Sequence, residues 1–203
     1  MNPDIYDLIF PIMFGIMALF FLTIGVRGVL VKRPFLVSNR WWLGILFVVF
    51  IPIILVNFLM PLSAGFYAMN WAIPLILGLL LLRGWFHYRG YTAYAVTDTS
   101  FRDGVTAALQ KLQLPYEESL AAIRLTSIEA DLQVSAHWWM GTGIIRVKQR
   151  AHKSVLREVV REMNEYFRIS SVPRNMISCA VYLGISVIGI YLAFDIAFFR
   201  IIF

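Results

Sequence analysis

Between Trp41 and Leu82 the chain runs for 42 residues without one Asp, Glu, Lys, Arg or His. Protein surface in water does not stay uncharged over such a length, and 203 residues are too few to bury it. A helix needs roughly 20 apolar residues to cross the hydrocarbon core of a bilayer, so the stretch has the length for two crossings. Midway lies Pro61-Leu62-Ser63-Ala64-Gly65, a break of the kind that reverses a chain. The expectation is a tight helical hairpin, 41–60 outward and 66–83 back.

The composition agrees. Only 15% of residues are charged and 60% are hydrophobic, against roughly 25% charged in an ordinary soluble domain. Mean hydropathy is +0.73. Cys179 is the one cysteine, which excludes an intrachain disulfide and a zinc site built on several thiolates.

Two further apolar runs flank the hairpin. Leu8 to Val26 is uncharged and predicts a membrane helix over about 8–30. It has neither the positive leader nor the small-residue cleavage site of a signal peptide, so it is expected to stay in the mature chain. Arg27, Lys32, Arg33 and Arg40 follow, with Pro34 ending the helix and Trp41 and Trp42 at the boundary where interfacial aromatics sit. A second basic and aromatic boundary comes at Arg83, Trp85, His87, Tyr88, Arg89 and Tyr91. Asn175 to Phe194, introduced by Pro173-Arg174, predicts a last helix within 173–203.

The predicted fold class is therefore a polytopic α-helical membrane protein. It has four transmembrane helices and a small α+β domain at 84–172, between helices 3 and 4. Lys and Arg in loops stay on the cytoplasmic side. Placing 27–40 and 83–174 inside puts 17 of the 18 basic residues there and leaves Arg200 outside. The expected location is an inner (plasma) membrane, multi-pass, with both termini outside and residues 84–172 cytoplasmic.

Within 84–172 the pattern turns globular. Tyr91–Val96 reads as a strand. Ser100 with Asp103 reads as a capping box opening a helix that carries Phe101, Val105, Ala108, Leu109 and Leu112 at helical spacing. Ala122–Leu125, Asp131–Ala136 and Ile145–Gln149 read as strands, the last two joined by a turn at Met140–Gly143. Ser154–Phe167 reads as an amphipathic helix burying Leu156, Val159, Val160, Met163 and Phe167. The order is β-α-β-β-β-α, with Tyr116–Ser119 available as a further strand.

No catalytic motif emerges. Gly141 and Gly143 lack the third glycine and the following Lys-Ser/Thr of a phosphate loop. His87, His137 and His152 share no ligand spacing, and His137 beside Trp138 and Trp139 reads as a hairpin end near a bilayer surface. An enzyme is not expected, nor is any cofactor or metal.

The strongest polar signal is basic. Arg146, Lys148 and Arg150 alternate on one strand face, and Lys153, Arg157 and Arg161 recur every four residues as a helical stripe that Arg168 extends. Juxtamembrane cations attract anionic headgroups by roughly 1 kcal/mol each, so these six residues are the predicted lipid- or partner-binding surface. The plain alternative is a solvated face paired with Glu158, Glu162 and Glu165. Within the last helix, Ala180 with Gly184, and Gly189 with Ala193 and Ala197, repeat every four residues; small residues at this spacing let helices pack closely in lipid. Asn57, Asn70 and Asp195 are the candidate intramembrane polar site.

The expected function is a membrane-anchored sensor, regulator or scaffold. Its cytoplasmic α+β domain would bind a partner protein or anionic lipid, as a homo-oligomer, and nucleic acid is not an expected partner. The alternative is a small oligomeric ion channel or pore-forming effector gated by that domain.

Overall fold

The computed structural model describes residues 5–59, 68–87, 90–119, 122–128 and 130–198. In chain order they form α1 (Ile5–Val31), β1 (Phe35–Ser38), α2 (Asn39–Leu59), α3 (Ala68–His87), β2 (Tyr91–Tyr94), α4 (Asp98–Lys111), β3 (Tyr116–Ser119), β4 (Ala122–Leu125), β5 (Ala130–His137), β6 (Thr142–Val147), α5 (Lys153–Ile169) and α6 (Ile177–Ala197). A single 3-10 turn, Arg150–His152, precedes α5.

The four-span fold class expected from hydropathy is corrected. The chain is a mixed α/β protein with a six-stranded antiparallel sheet. Only two described helices, Leu8–Val31 of α1 and Ile177–Ala197, are long and apolar enough to cross a membrane. In α2 and α3 the described apolar stretches are Asn39–Pro52 and Leu75–Gly84, short of the roughly 20 residues a crossing needs. A run without charge measures polarity and not helix length, which is why the hairpin looked like two spans. Its reversal at 61–65 lies outside the described residues. Only 22% and 17% of the two long apolar windows is buried within the chain, whereas a core helix of a soluble protein is mostly covered.

The chain forms two compact units, one of residues 24–39 and 89–182, the other of 1–23, 40–88 and 183–203. In the first, the sheet order is β1-β2-β6-β5-β4-β3 with every neighbouring pair antiparallel. The expectation of four or five strands missed β1. It is Phe35-Leu36-Val37-Ser38, four residues rich in strand formers behind the helix-stopping Pro34, and it pairs Phe35 with Tyr94 through Ser38 with Tyr91. Tyr116–Ser119 is a true strand and forms the far edge.

Helices α4 and α5 cover one sheet face. Phe101, Val105, Ala108 and Leu109 from α4, and Leu156, Val159, Met163 and Phe167 from α5, close over Ala93, Leu125, Leu132 and Ile145. The cap of α4 differs from the expectation. Thr97 is the N-cap, its side chain accepting from the Ser100 N–H at 3.1 Å, while the Thr97 N–H donates to Ser100 Oγ at 2.8 Å. Ser100 is thus the third residue of the box and not its cap. On the other face, around β1 and β2, Phe35 stacks on Tyr94 at 5.5 Å and Tyr182 of α6 meets Tyr94 edge-on at 5.6 Å. Arg27 lies over the Phe35 ring at 5.1 Å.

The β5–β6 turn runs through Trp138–Gly141. Gly141 has φ 63°, and a Cβ there would stand 2.7 Å from the Asn175 carbonyl oxygen, so the turn needs glycine on both counts. The Asn175 side chain donates to the Trp138 carbonyl at 2.6 Å. The hairpin tip, with Trp138 and Trp139 exposed, is thereby tied to the residues just before α6.

In the second unit Phe20 and Phe21 of α1 both pack edge-on against Trp42 of α2. Ala18, Leu43, Val49, Leu81 and Ser186 are buried, while Leu19, Leu75, Ile76, Leu79, Leu80, Val187, Ile188 and Phe194 are exposed.

Candidate functional site

Helix α5 buries its apolar stripe and turns Arg157, Arg161, Asn164 and Arg168 outward, as the helical spacing dictates. Tyr91 of β2 completes an open groove of about 440 Å³ along this face, with Glu165 among its lining. The groove is anchored to the sheet edge, because Asn164 Oδ1 accepts the Leu36 N–H at 3.3 Å. Three guanidinium groups share it with one carboxylate. Arg168 pairs with Glu165 at 3.0 Å, and Arg161 reaches Glu162 at 3.2 Å, beside the groove. Among the described residues no carboxylate lies within ion-pair distance of Arg157, which is exposed.

Glu162 has its own role. Its side chain is 9% exposed and its carboxylate is held by Lys111 of α4 at 2.6 Å and by Arg161 at 3.2 Å. The Lys111 contact holds its pKa below the ordinary 4.5; burial opposes this and Arg161 adds to it. The pair ties α4 to α5 and keeps that carboxylate ionised at neutral pH.

The predicted six-residue basic surface is not one surface. Ile145 and Val147 belong to the helix-covered core, so Arg146 between them points to the opposite sheet face. There its Nε donates to Gln133 Oε1 at 2.6 Å, across the in-register β5–β6 pair. Lys148 is exposed just past β6, and its N–H donates to the Asp131 carbonyl at 3.0 Å. Arg150 starts the 3-10 turn, but its side chain lies outside the described residues. Lys153 is half-buried at the start of α5. Of the six, Arg157 and Arg161 line the groove.

Of the predicted small-residue faces, Ala180 and Gly184 are exposed, and a Cβ at Gly184 would meet nothing within 4 Å. Gly189 instead lies against α1, where a Cβ would approach Ala18 Cβ to 3.0 Å. Ala193, Ala197 and Asp195 are half-buried. The side chains of Asn57 and Asn70 lie outside the described residues.

Sequence reading missed the contribution of Tyr91 and Asn164 to the groove. It also read Lys32, Arg33 and Arg174 only as markers of orientation, although the fold gathers them around one pocket. Their signal was available as basic residues immediately outside two apolar helices.

A third recess, of about 260 Å³, opens between α4 and the sheet. Arg102 lines it, 3.1 Å from Glu118 and 3.9 Å from Asp98. These groups are more than half exposed, and such pairs contribute roughly 0–1 kcal/mol. Among the described residues no three His, Cys, Asp or Glu side chains gather to hold a metal ion. Compared with known proteins, the chain matches no family model, no curated protein and no solved structure.

Proposed function

We propose that this protein is a membrane-anchored scaffold or regulator whose α/β unit binds an acidic partner protein or an anionic lipid surface through the α5 groove. Two apolar helices, α1 and α6, with most of their surface exposed, support the anchor. Trp138 and Trp139, exposed beside the start of α6, stand where interfacial aromatics sit. The Lys and Arg excess between the two helices favours the cytoplasmic side for the unit.

The observation that carries the binding reading is the alignment of Arg157, Arg161 and Arg168 along one groove with a single acid in it. Arginine is suited to this task because its planar fork pairs with carboxylate and phosphate through two donors at once.

The test is binding of the full chain, held in neutral nanodiscs, to an Asp/Glu-rich peptide and to phosphatidylglycerol vesicles. Arg157→Glu with Arg161→Glu should abolish whichever association the wild type shows, and added salt should weaken it. A wild type that binds neither ligand, or a double variant that binds as the wild type does, refutes the reading.

A further inference from the structure

We infer that a second cationic pocket, formed by Lys32, Arg33 and Arg174 with the hydroxyls of Ser170 and Ser171, is a site for the phosphate of an anionic phospholipid. The inference rests on the reading of α1 and α6 as membrane anchors.

The pocket, of about 430 Å³, lies between the chain leaving α1 and the linker from α5 to α6, and among the described residues no acidic one lines it. Its two guanidinium groups are held by backbone carbonyls. The Arg33 Nη1 donates to the Arg168 carbonyl, and the Arg174 Nη1 donates to the Lys32 carbonyl at 3.1 Å. A guanidinium has five N–H donors, so each arginine keeps others for a ligand. The main chain at Arg174 is fixed by its bridge to Val96 and by the neighbouring Asn175 N–H, which donates to the Ala95 carbonyl at 3.3 Å. Lys32, just past the end of α1, adopts the left-handed region, φ 53°. Two guanidinium groups are therefore preset beside the Lys32 ammonium, with no carboxylate among the described lining residues to neutralise them, which is what an anion site requires.

Location selects the source of the phosphate. Lys32 follows the last residue of α1, and Arg174 stands three residues before α6. These are the two described helices long and apolar enough to cross a membrane. A headgroup is delivered to the ends of such helices by the bilayer itself. Val172 and Ile169, the latter 76% exposed, add an apolar wall to the same pocket. That wall suits the glycerol and upper acyl chain of a lipid and gives nothing to a free phosphate. The residues are distinct from those of the α5 groove, so the two sites separate by mutation.

The experiment is native mass spectrometry of the full chain in neutral detergent, measuring retention of phosphatidylglycerol against phosphatidylcholine. Lys32→Asn is the central variant. Among the described residues the Lys32 side chain makes no hydrogen bond or ion pair, its carbonyl still accepts from Arg174, and asparagine tolerates the left-handed backbone. Arg174→Gln is the second, and Arg124→Gln, at an exposed β4 cation that lines neither the pocket nor the α5 groove, is the control. The wild type should prefer phosphatidylglycerol. Lys32→Asn and Arg174→Gln should each lose roughly fivefold in its retention, the factor expected for one cation at an anionic surface, and Arg124→Gln should not. Equal retention of the two lipids, or unchanged retention in Lys32→Asn, overturns the site. Displacement of the lipid by millimolar inorganic phosphate would assign the pocket to a soluble anion and overturn the lipid proposal. Carbonate washing of membranes tests the anchor separately. A chain released by carbonate refutes the anchor reading, whereas a chain that stays without preferring phosphatidylglycerol refutes the pocket alone.

Discussion

The Lys111 ammonium at the end of α4 stands 2.6 Å from a carboxylate oxygen of Glu162, which α5 has almost wholly withdrawn from solvent. The pair bridges the two helices of the layer over the sheet, and Lys111 is the first cause of the lowered Glu162 pKa. A carboxyl with a folded-state pKa below its unfolded value adds stability above the unfolded value and loses it as pH falls through the folded one. The full chain in neutral detergent should therefore keep this contribution above pH 4.5 and lose it progressively below. Glu162→Gln should lower the thermal midpoint at neutral pH, and the gap to the wild type should close in acid. A gap of the same size at pH 7 and well below 4.5 would show that the ion pair contributes nothing.

The α4 cap gives a sharper contrast. Thr97 and Ser100 satisfy one another's backbone donors, and loss of an N-cap side chain costs about 0.5–2 kcal/mol. Thr97→Ala should destabilise by about 1 kcal/mol, a fall of roughly 2–4 °C in Tm for a chain of this size. Asp103, the box partner suggested by spacing, is exposed on α4, and Asp103→Ala should stay within about 0.5 kcal/mol of the wild type. The reverse ranking would return the cap to Ser100 and Asp103.

Those two residues also show what the sequence could and could not reveal. A helix starting near residue 100, and the buried stripe of α5 at Leu156, Val159, Val160, Met163 and Phe167, were legible because amphipathic periodicity is a local signal. The cap was misplaced by three residues because Thr97 and Ser100 are equally good capping types. Strand β1 was illegible. Four residues between Arg33 and Arg40 carry no period of their own, and only pairing with β2 makes Phe35–Ser38 a strand. The four-span reading failed because the absence of charge from Trp41 to Leu82 says nothing about where helices stop. The basic surface was half legible. Arg157 and Arg161 shared a face by helical period, whereas Arg146 was separated from them by the sheet itself.

Phe101 is the place where α4 closes on the sheet. A Cβ at Gly143 of β6 would stand 2.8 Å from three atoms of the Phe101 ring, so the ring lies flat against glycine backbone. Gly143→Ala should displace that ring and cost about 1–3 kcal/mol by overpacking. The thermal midpoint of the full chain in neutral detergent is the readout, and an unchanged midpoint would mean that the α4–sheet contact yields freely. Combining Gly143→Ala with Phe101→Leu should recover part of the loss, since the smaller side chain vacates the clash. The two changes should therefore be non-additive, as expected of residues in contact.

The two small-residue faces of α6 should answer differently to the same substitution. Gly189 lies against α1, where an added Cβ would come within 3.0 Å of Ala18 Cβ and 3.6 Å of the Phe14 carbonyl oxygen. Close approach of this kind is how helices gain dispersion contact where no hydrophobic force drives them together. Gly189→Leu should therefore separate α1 from α6 and lower the thermal midpoint of the detergent-solubilised chain by several degrees, the fall expected of an overpacking cost of about 1–3 kcal/mol. At Gly184 a Cβ meets nothing within 4 Å, so Gly184→Leu should leave the fold of one chain intact. If subunits associate through this second face, Gly184→Leu should instead shift the solubilised mass from oligomer to monomer without changing the midpoint measured at high detergent. A Gly184→Leu variant that unfolds as readily as Gly189→Leu would contradict the open face. A wild type and a Gly184→Leu variant of the same multimeric mass would remove Gly184 from any subunit contact and leave its face to lipid.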